Sequence, residues 1–193
     1  MRISGGTAKG KRTATKRLIA KTSTGERLRP TTSKVREALF DIIQKEIGGS
    51  SFVDLYAGTG TVGLEALSRG AGRAVFVEPD ETRVKTIRNN VHEFGFQDKV
   101  LVVKGRAHDF LRKASTGKER FDIIFVDPPY QSEEIEKVLP LIGGEDLLRE
   151  GGIIIVEHFF KKKMPETAGD IQKDRSYRYG DTVLTLYRKS VNK

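Results

Sequence analysis

The sequence predicts a doubly wound α/β domain on a mainly parallel, seven-stranded sheet, and three observations carry that expectation. Short runs rich in Val and Ile alternate with longer segments of helical periodicity along most of the 193 residues. These runs are apolar throughout, as strands covered by helices on both faces must be. A Gly-rich turn joins the first run to the helical segment after it, the arrangement that opens a nucleotide-binding crevice in such folds.

The elements follow in order. Residues 1–36 contain eleven Lys or Arg against one acid, Glu26, whereas the rest of the chain has 24 basic and 25 acidic side chains, so the net charge of +9 is held almost entirely at one end. Residues 1–30 are therefore expected to form a basic N-terminal arm, with a hairpin in "RLIAKTSTGERLRP" turning at Ser23-Thr24-Gly25. Such asymmetry points to a polyanion, most simply nucleic acid, with Arg2, Lys9, Lys11, Arg12, Lys16 and Arg17 as phosphate contacts. The domain proper is expected over 31–193. "TTSKVREALFDIIQKEIGG" reads as a helix, with Val35, Leu39, Ile42, Ile43 and Ile47 at helical spacing and Gly48-Gly49 ending it. Strands are expected at 52–56, 74–78, 100–103, 121–126 and 152–157, and helices near 61–69, 81–94 and 133–142. "DRSYRY" and "DTVLTLYRK" add an antiparallel pair across Gly180-Asp181. "EHFFKKK" (157–163) reads as a strand end and a solvated run, with contact to RNA phosphates as the alternative.

The chain has no cysteine, which excludes disulfides and thiolate metal sites, and its three histidines lack metal-ligand spacing. No signal core or membrane-length apolar stretch is present, so a soluble, cytoplasmic, monomeric protein needing no metal is expected.

The acidic residues become legible on this fold. Asp54, Glu78 and Asp127 stand at or near the carboxyl ends of three strands. Right-handed crossovers keep those strands parallel, so the three carboxylates should reach one rim, where ligands bind. In "DLYAGTGTVGLEA" (54–66), Gly58, Gly60 and Gly63 satisfy GxGxxG after a strand and before a helix, and Glu78 follows twenty residues after Gly58. Asp54 would face a pyrophosphate with like charge. S-adenosyl-L-methionine, with an ammonium, a sulfonium and a ribose diol, fits better than NAD, which leaves an NAD-dependent oxidoreductase as the alternative of another class. Tyr56, in the same turn, joins the candidate cofactor residues.

"FDIIFVDPPY" (121–130) ends a buried strand in a carboxylate, two prolines and an aromatic ring. Pro128 and Pro129 cannot donate to a ladder and hold the chain extended. The resulting surface offers only acceptors, Asp127 and the Pro128 carbonyl, to the two hydrogens of an exocyclic base amine, and Tyr130 can stack on the base.

"VDLYAGTGTVGLEALSRGA", "VFVEPD" and "DPPY" together resemble class I S-adenosylmethionine-dependent methyltransferases. With "RISGGTAKGKR", "RPTTSKVREALFDII" and "YRYGDTVLTLYRK", the chain resembles, over nearly its whole length, the bacterial small-subunit (16S) ribosomal RNA guanine-N2 methyltransferases of the RsmD family. The resemblance implies that Asp54, Gly58 and Gly60 line the methionine part of the cofactor and that Glu78 binds its ribose. It implies catalysis at Asp127, Pro128, Pro129 and Tyr130, with Asp127 also at the cofactor, and 16S rRNA or the assembling small subunit as partner. The family's usual Gly-Asp-Ala after the third strand is Gly105-Arg106-Ala107 here. Arg106 thus stands where an acid meets the adenine amine, leaving the Ala107 backbone to meet the ring. Asp-Pro-Pro-Tyr alone serves an adenine or cytosine amine equally; only the flanking resemblance selects guanine.

Overall fold

The computed structural model describes residues 2–13, 33–129 and 132–189. The expected hairpin, Lys16, Arg17 and Tyr130 lie outside them. Among the described residues five helices and eight strands alternate: α1 (Ser33–Ile42), β1 (Ser51–Asp54), α2 (Thr61–Ser68), β2 (Arg73–Glu78), α3 (Glu81–Phe94), β3 (Val100–Lys104), α4 (Ala107–Thr116), β4 (Phe121–Val126), α5 (Glu134–Gly144), β5 (Leu148–Phe159), β6 (Thr167–Ala168), β7 (Ile171–Tyr179) and β8 (Thr182–Lys189).

The strands form one mixed sheet in the order β3-β2-β1-β4-β5-β8-β7-β6. The first five are parallel, and β8, β7 and β6 continue antiparallel. The expected seven strands are thus eight, because the two-residue β6 adds an edge too short to carry any periodicity. The order reverses between β1 and β4, and that switch point is where the carboxyl ends of neighbouring strands leave a crevice.

Residues alternate between two apolar layers. Phe52, Phe76, Ile123, Phe125 and Ile155 face α1, α2 and α3, and Val53, Val75, Ile124, Val126 and Ile154 face α4 and α5. Asp54, Glu78 and Asp127 have the parity of the first layer, so the alternation that buries the core also aligns the three acids. Helix α3 is capped by Asp80, whose side chain accepts from the Arg83 N–H at 2.9 Å, and it stops at Gly95 in the left-handed conformation. Helix α1 ends at Ile42, with single turns continuing to Ile47.

Residues 2–13 do not hang free. Ile3 and Ala8 are buried in the first layer, and a bridge between Arg2 and Arg12 closes the segment on itself. It docks on the end of α2: Thr7 N–H donates to the Ser68 carbonyl at 2.7 Å, and the Ser68 hydroxyl takes the Ala8 N–H and donates to the Gly5 carbonyl. Among the described residues no helix is long and apolar enough to cross a membrane.

Candidate active site

Asp54 ends β1 directly beneath the Gly-rich turn, and the chain beyond it stays pinned between neighbouring strands. Leu55 N–H donates to the Phe125 carbonyl and Ala57 N–H to the Val77 carbonyl, both at 3.0 Å. Gly58 and Gly60 have φ of +55° and +78°, values that side-chain-bearing residues rarely adopt. A Cβ on Gly58 would meet nothing within 4 Å, so the turn exposes bare backbone to the crevice. Gly63 serves packing instead: its Cβ would lie 2.4 Å from Phe76 Cε1, so only glycine lets α2 rest on β2.

Asp54 is 2 % exposed, and its Oδ1 has no hydrogen-bond partner. Burial, with the nearby charges of Asp127 and Glu78, pushes its carboxyl up to about 8, against backbone hydrogen bonds from Gly63 and Tyr56. Glu78 is equally buried. Its Oε2 accepts from Gly58 N–H at 2.8 Å and its Oε1 from Asp80 N–H at 3.0 Å, with Arg83 at 3.6 Å. Burial nevertheless raises its pKa. Each Glu78 oxygen keeps a further lone pair for a hydroxyl.

Asp127 leaves β4 one residue after Val126 pairs with Val156, half-buried, followed by buried Pro128 and exposed Pro129. No described residue donates a backbone hydrogen bond to the Pro128 carbonyl, whereas the Pro129 carbonyl takes the Ser132 N–H at 3.0 Å and the Ser132 hydroxyl at 2.7 Å. Tyr56 donates its hydroxyl to Glu134 at 3.1 Å, tying the turn after β1 to the start of α5; burial and Glu134 push that hydroxyl's pKa up. Arg106 is exposed at the start of α4 and Ala107 is buried, while Gly105 N–H donates to the Glu78 carbonyl at 3.2 Å. Asp109 is exposed and lies against His108.

The structure therefore brings Asp54, Tyr56, Gly58, Gly60, Glu78, Ala107 and Asp127 to one rim. Arg2, Lys9, Lys11 and Arg12 are exposed on the docked N-terminal segment. An unsatisfied buried carboxylate oxygen, two further acids and a bare backbone turn suit a cation that also carries hydroxyl groups. They repel a pyrophosphate. This donor set fits the ammonium, sulfonium and ribose of S-adenosyl-L-methionine.

Sequence reasoning missed the buried support of this site. Arg36 Nε donates to Glu65 Oε2 at 2.7 Å, with both side chains almost wholly buried, and Arg36 Nη2 donates to the Arg2 carbonyl at 2.9 Å. Ser4 and Arg69 hold the other Glu65 oxygen. Burial pushes the Glu65 carboxyl up, but the hydrogen bonds from Ser4 and Arg36 outweigh it and leave the pKa lowered. The partner of Arg36 lies 29 residues away in the sequence. The signal was an acid inside a helix whose eight residues are all buried.

Comparisons with known proteins give the family of the chain. Residues 1–188 match the family described as Conserved hypothetical protein 95. The chain is 35% identical over 189 residues to "Putative rRNA methyltransferase YlbH" of Bacillus subtilis strain 168, covering 98% of this chain and 99% of that one. It is 31% identical over 162 residues to Ribosomal RNA small subunit methyltransferase D of Escherichia coli K12, covering 84% and 80%. Its fold is similar to that of a solved structure named "Putative methyltransferase yhhF from Escherichia coli", with a TM-score of 0.83 and 29% identity across 100% of this chain and 99% of that one. With a match over almost its entire length, the chain belongs to the Conserved hypothetical protein 95 family, which is the RsmD family of methyltransferases.

Proposed function

We propose that the protein transfers a methyl group from S-adenosyl-L-methionine to the exocyclic 2-amino group of a guanine in small-subunit (16S) ribosomal RNA. The observation that carries this reading is the convergence of Asp54, Glu78 and Asp127 on one desolvated rim, with Asp54 Oδ1 unsatisfied. The names of the relatives supply the substrate class, and the RsmD resemblance supplies guanine N2.

Bound at this rim, the cofactor supplies an electrophilic methyl on a positively charged sulfur. Asp54, Tyr56, Gly58 and Gly60 would hold its methionine part, Glu78 its ribose, and the backbone at Arg106 and Ala107 its base. The protein's own contribution is alignment, worth up to ~7–11 kcal/mol in favourable cases. Asp127 and the Pro128 carbonyl take the two amine hydrogens, which orients the nitrogen and turns its lone pair toward the donor. Asp127 would also stabilise the positive charge that develops as the new N–C bond forms and the methyl–sulfur bond breaks, and would take the proton the amine then sheds, leaving the cofactor as a neutral thioether. Pro129 keeps the loop extended, and Tyr130 stacks on the base, which must leave its own stack to enter. Arg2, Lys9, Lys11, Arg12, Lys16 and Arg17 supply phosphate affinity. We further propose that the protein acts as a monomer on RNA or on the assembling subunit in the cytoplasm.

Nucleoside mass spectrometry of 16S rRNA from cells with and without this protein tests the proposal. One N2-methylguanosine should disappear with the gene. Loss of a methylated adenosine or cytidine instead would show that the same loop serves a different amine.

A further inference from the structure

One strongly featured surface lies beside the site and is not used by the reaction just described. It is built where β5 ends and the β7–β8 hairpin turns. β5 runs parallel to β4, and Phe159 pairs with Thr182, which pairs with Tyr179, so residues 159–163 and 178–182 gather at the carboxyl rim that carries Asp127. Phe160 N–H donates to the Asp181 carbonyl at 2.9 Å, fastening the strand end to the hairpin.

Arg178 is held there from two sides. Its guanidinium carbon lies 4.0 Å from the centroid of the Phe160 ring, and its Nε donates to the Gly180 carbonyl at 2.8 Å. Phe159 buttresses Phe160 edge-on at 4.7 Å between centroids. Arg178 is nonetheless exposed, and it forms no ion pair with a carboxylate among the described residues. An exposed arginine usually samples many rotamers; this one has its guanidinium held over an aromatic ring and hydrogen-bonded at Nε. Lys161 and Lys163 are exposed on the turn that follows Phe160, and the Lys161 ammonium lies 5.8 Å from the centroid of the same ring. The neighbouring Lys162 differs: its ammonium donates to the Ser132 carbonyl at 3.2 Å and to Glu136 at 3.0 Å. Because Ser132 holds the Pro129 carbonyl, Lys162 ties this surface to the Asp127 loop.

We propose that Arg178, prefixed by Phe160, is a stacking plate for an unpaired RNA base next to the target nucleotide, with Lys161 and Lys163 on the adjoining phosphates. Guanidinium planes and aromatic rings receive splayed-out bases in single-stranded RNA, and prior immobilisation removes part of the ordering cost. The proposal rests on the RNA reading above and adds how a nucleotide outside the pocket is gripped.

Binding of a labelled single-stranded oligoadenylate to the full chain, followed by anisotropy over a range of salt, tests it. Arg178→Lys keeps the charge but lacks the plane, so affinity should fall about 5- to 10-fold while the salt slope stays unchanged. Phe160→Leu should fall similarly, and Phe160→Tyr should restore binding. Inorganic polyphosphate, which has charge but no base, should bind the wild type and Arg178→Lys alike. Wild-type affinity in Arg178→Lys, or an equal loss for polyphosphate, overturns the plate. If the wild type methylates 16S rRNA while Arg178→Lys binds normally, only the plate falls. If the wild type binds no RNA, the RNA reading falls and takes the plate with it.

Discussion

Glu78 Oε2 accepts a 2.8 Å hydrogen bond from the Gly58 N–H, so the acid that closes β2 also fixes the turn that follows β1. One side chain thereby shapes both halves of the crevice. Glu78→Gln keeps the volume but presents an NH2 to one of the two N–H groups now accepted, Gly58 or Asp80. A hydrogen bond to a charged group contributes ~1.5–3 kcal/mol, so cofactor affinity should fall on the order of 10- to 100-fold by calorimetry. Unchanged affinity would remove Glu78 from the cofactor site.

Asp54 predicts a pH dependence of stability. Its folded pKa of about 8 lies far above the ordinary carboxylate value of 3.8, so the folded state holds the proton more tightly than the unfolded chain. Its contribution is most favourable below the unfolded value and is lost as pH rises toward about 8. Asp54→Asn, which cannot ionise, should melt at a temperature close to the wild type below about pH 4, the gap widening as pH rises and clearly in the variant's favour at pH 9. A difference that does not vary with pH contradicts the assignment. A cation entering this site favours the ionised carboxyl, so wild-type cofactor binding at pH 7 should release protons, visible in calorimetry across buffers of different ionisation enthalpy.

The Arg36–Glu65 pair anchors the N-terminal segment to the helix that begins at the Gly-rich turn. Removing one partner of a buried pair typically costs ~3–5 kcal/mol because the other charge is stranded. Glu65→Ala should therefore lower the melting temperature by roughly 10 °C, given ~2–4 °C per kcal/mol for a chain of this size. A change of only a degree or two would show that the segment and α2 hold together without the pair.

Because Ile3 and Ala8 belong to the core, truncating the N-terminus would confuse RNA affinity with stability. Substituting the exposed Lys9, Lys11 and Arg12 by Gln separates the two. The salt slope of single-stranded RNA binding should drop by about 2, at ~0.7 for each phosphate no longer neutralised. An unaltered slope excludes these side chains from the interface.

The parallel strands and the acidic rim were legible because both follow from alternation: a strand buried on two faces is an apolar run, and parity then places Asp54, Glu78 and Asp127 together. Helix α4 carries Ala107, Phe110, Leu111 and Ala114 at helical spacing, yet it falls outside the helices expected from the sequence. What the sequence could not show depends on distant pairing. Arg36 looks like a surface charge until the N-terminal segment and Glu65 enclose it, and Arg178 looks solvated until the hairpin sets it over Phe160. Neither interaction lies within the span over which periodicity carries information.

In the proposed reaction Asp127 grips the amine that receives the methyl. Single-turnover methyl transfer to 16S rRNA at saturating cofactor, comparing wild type with Asp127→Ala, tests it most directly. The rate should fall on the order of 10²- to 10³-fold, the loss expected when a hydrogen bond that strengthens in the transition state is removed. A rate within a few-fold of wild type would contradict the account.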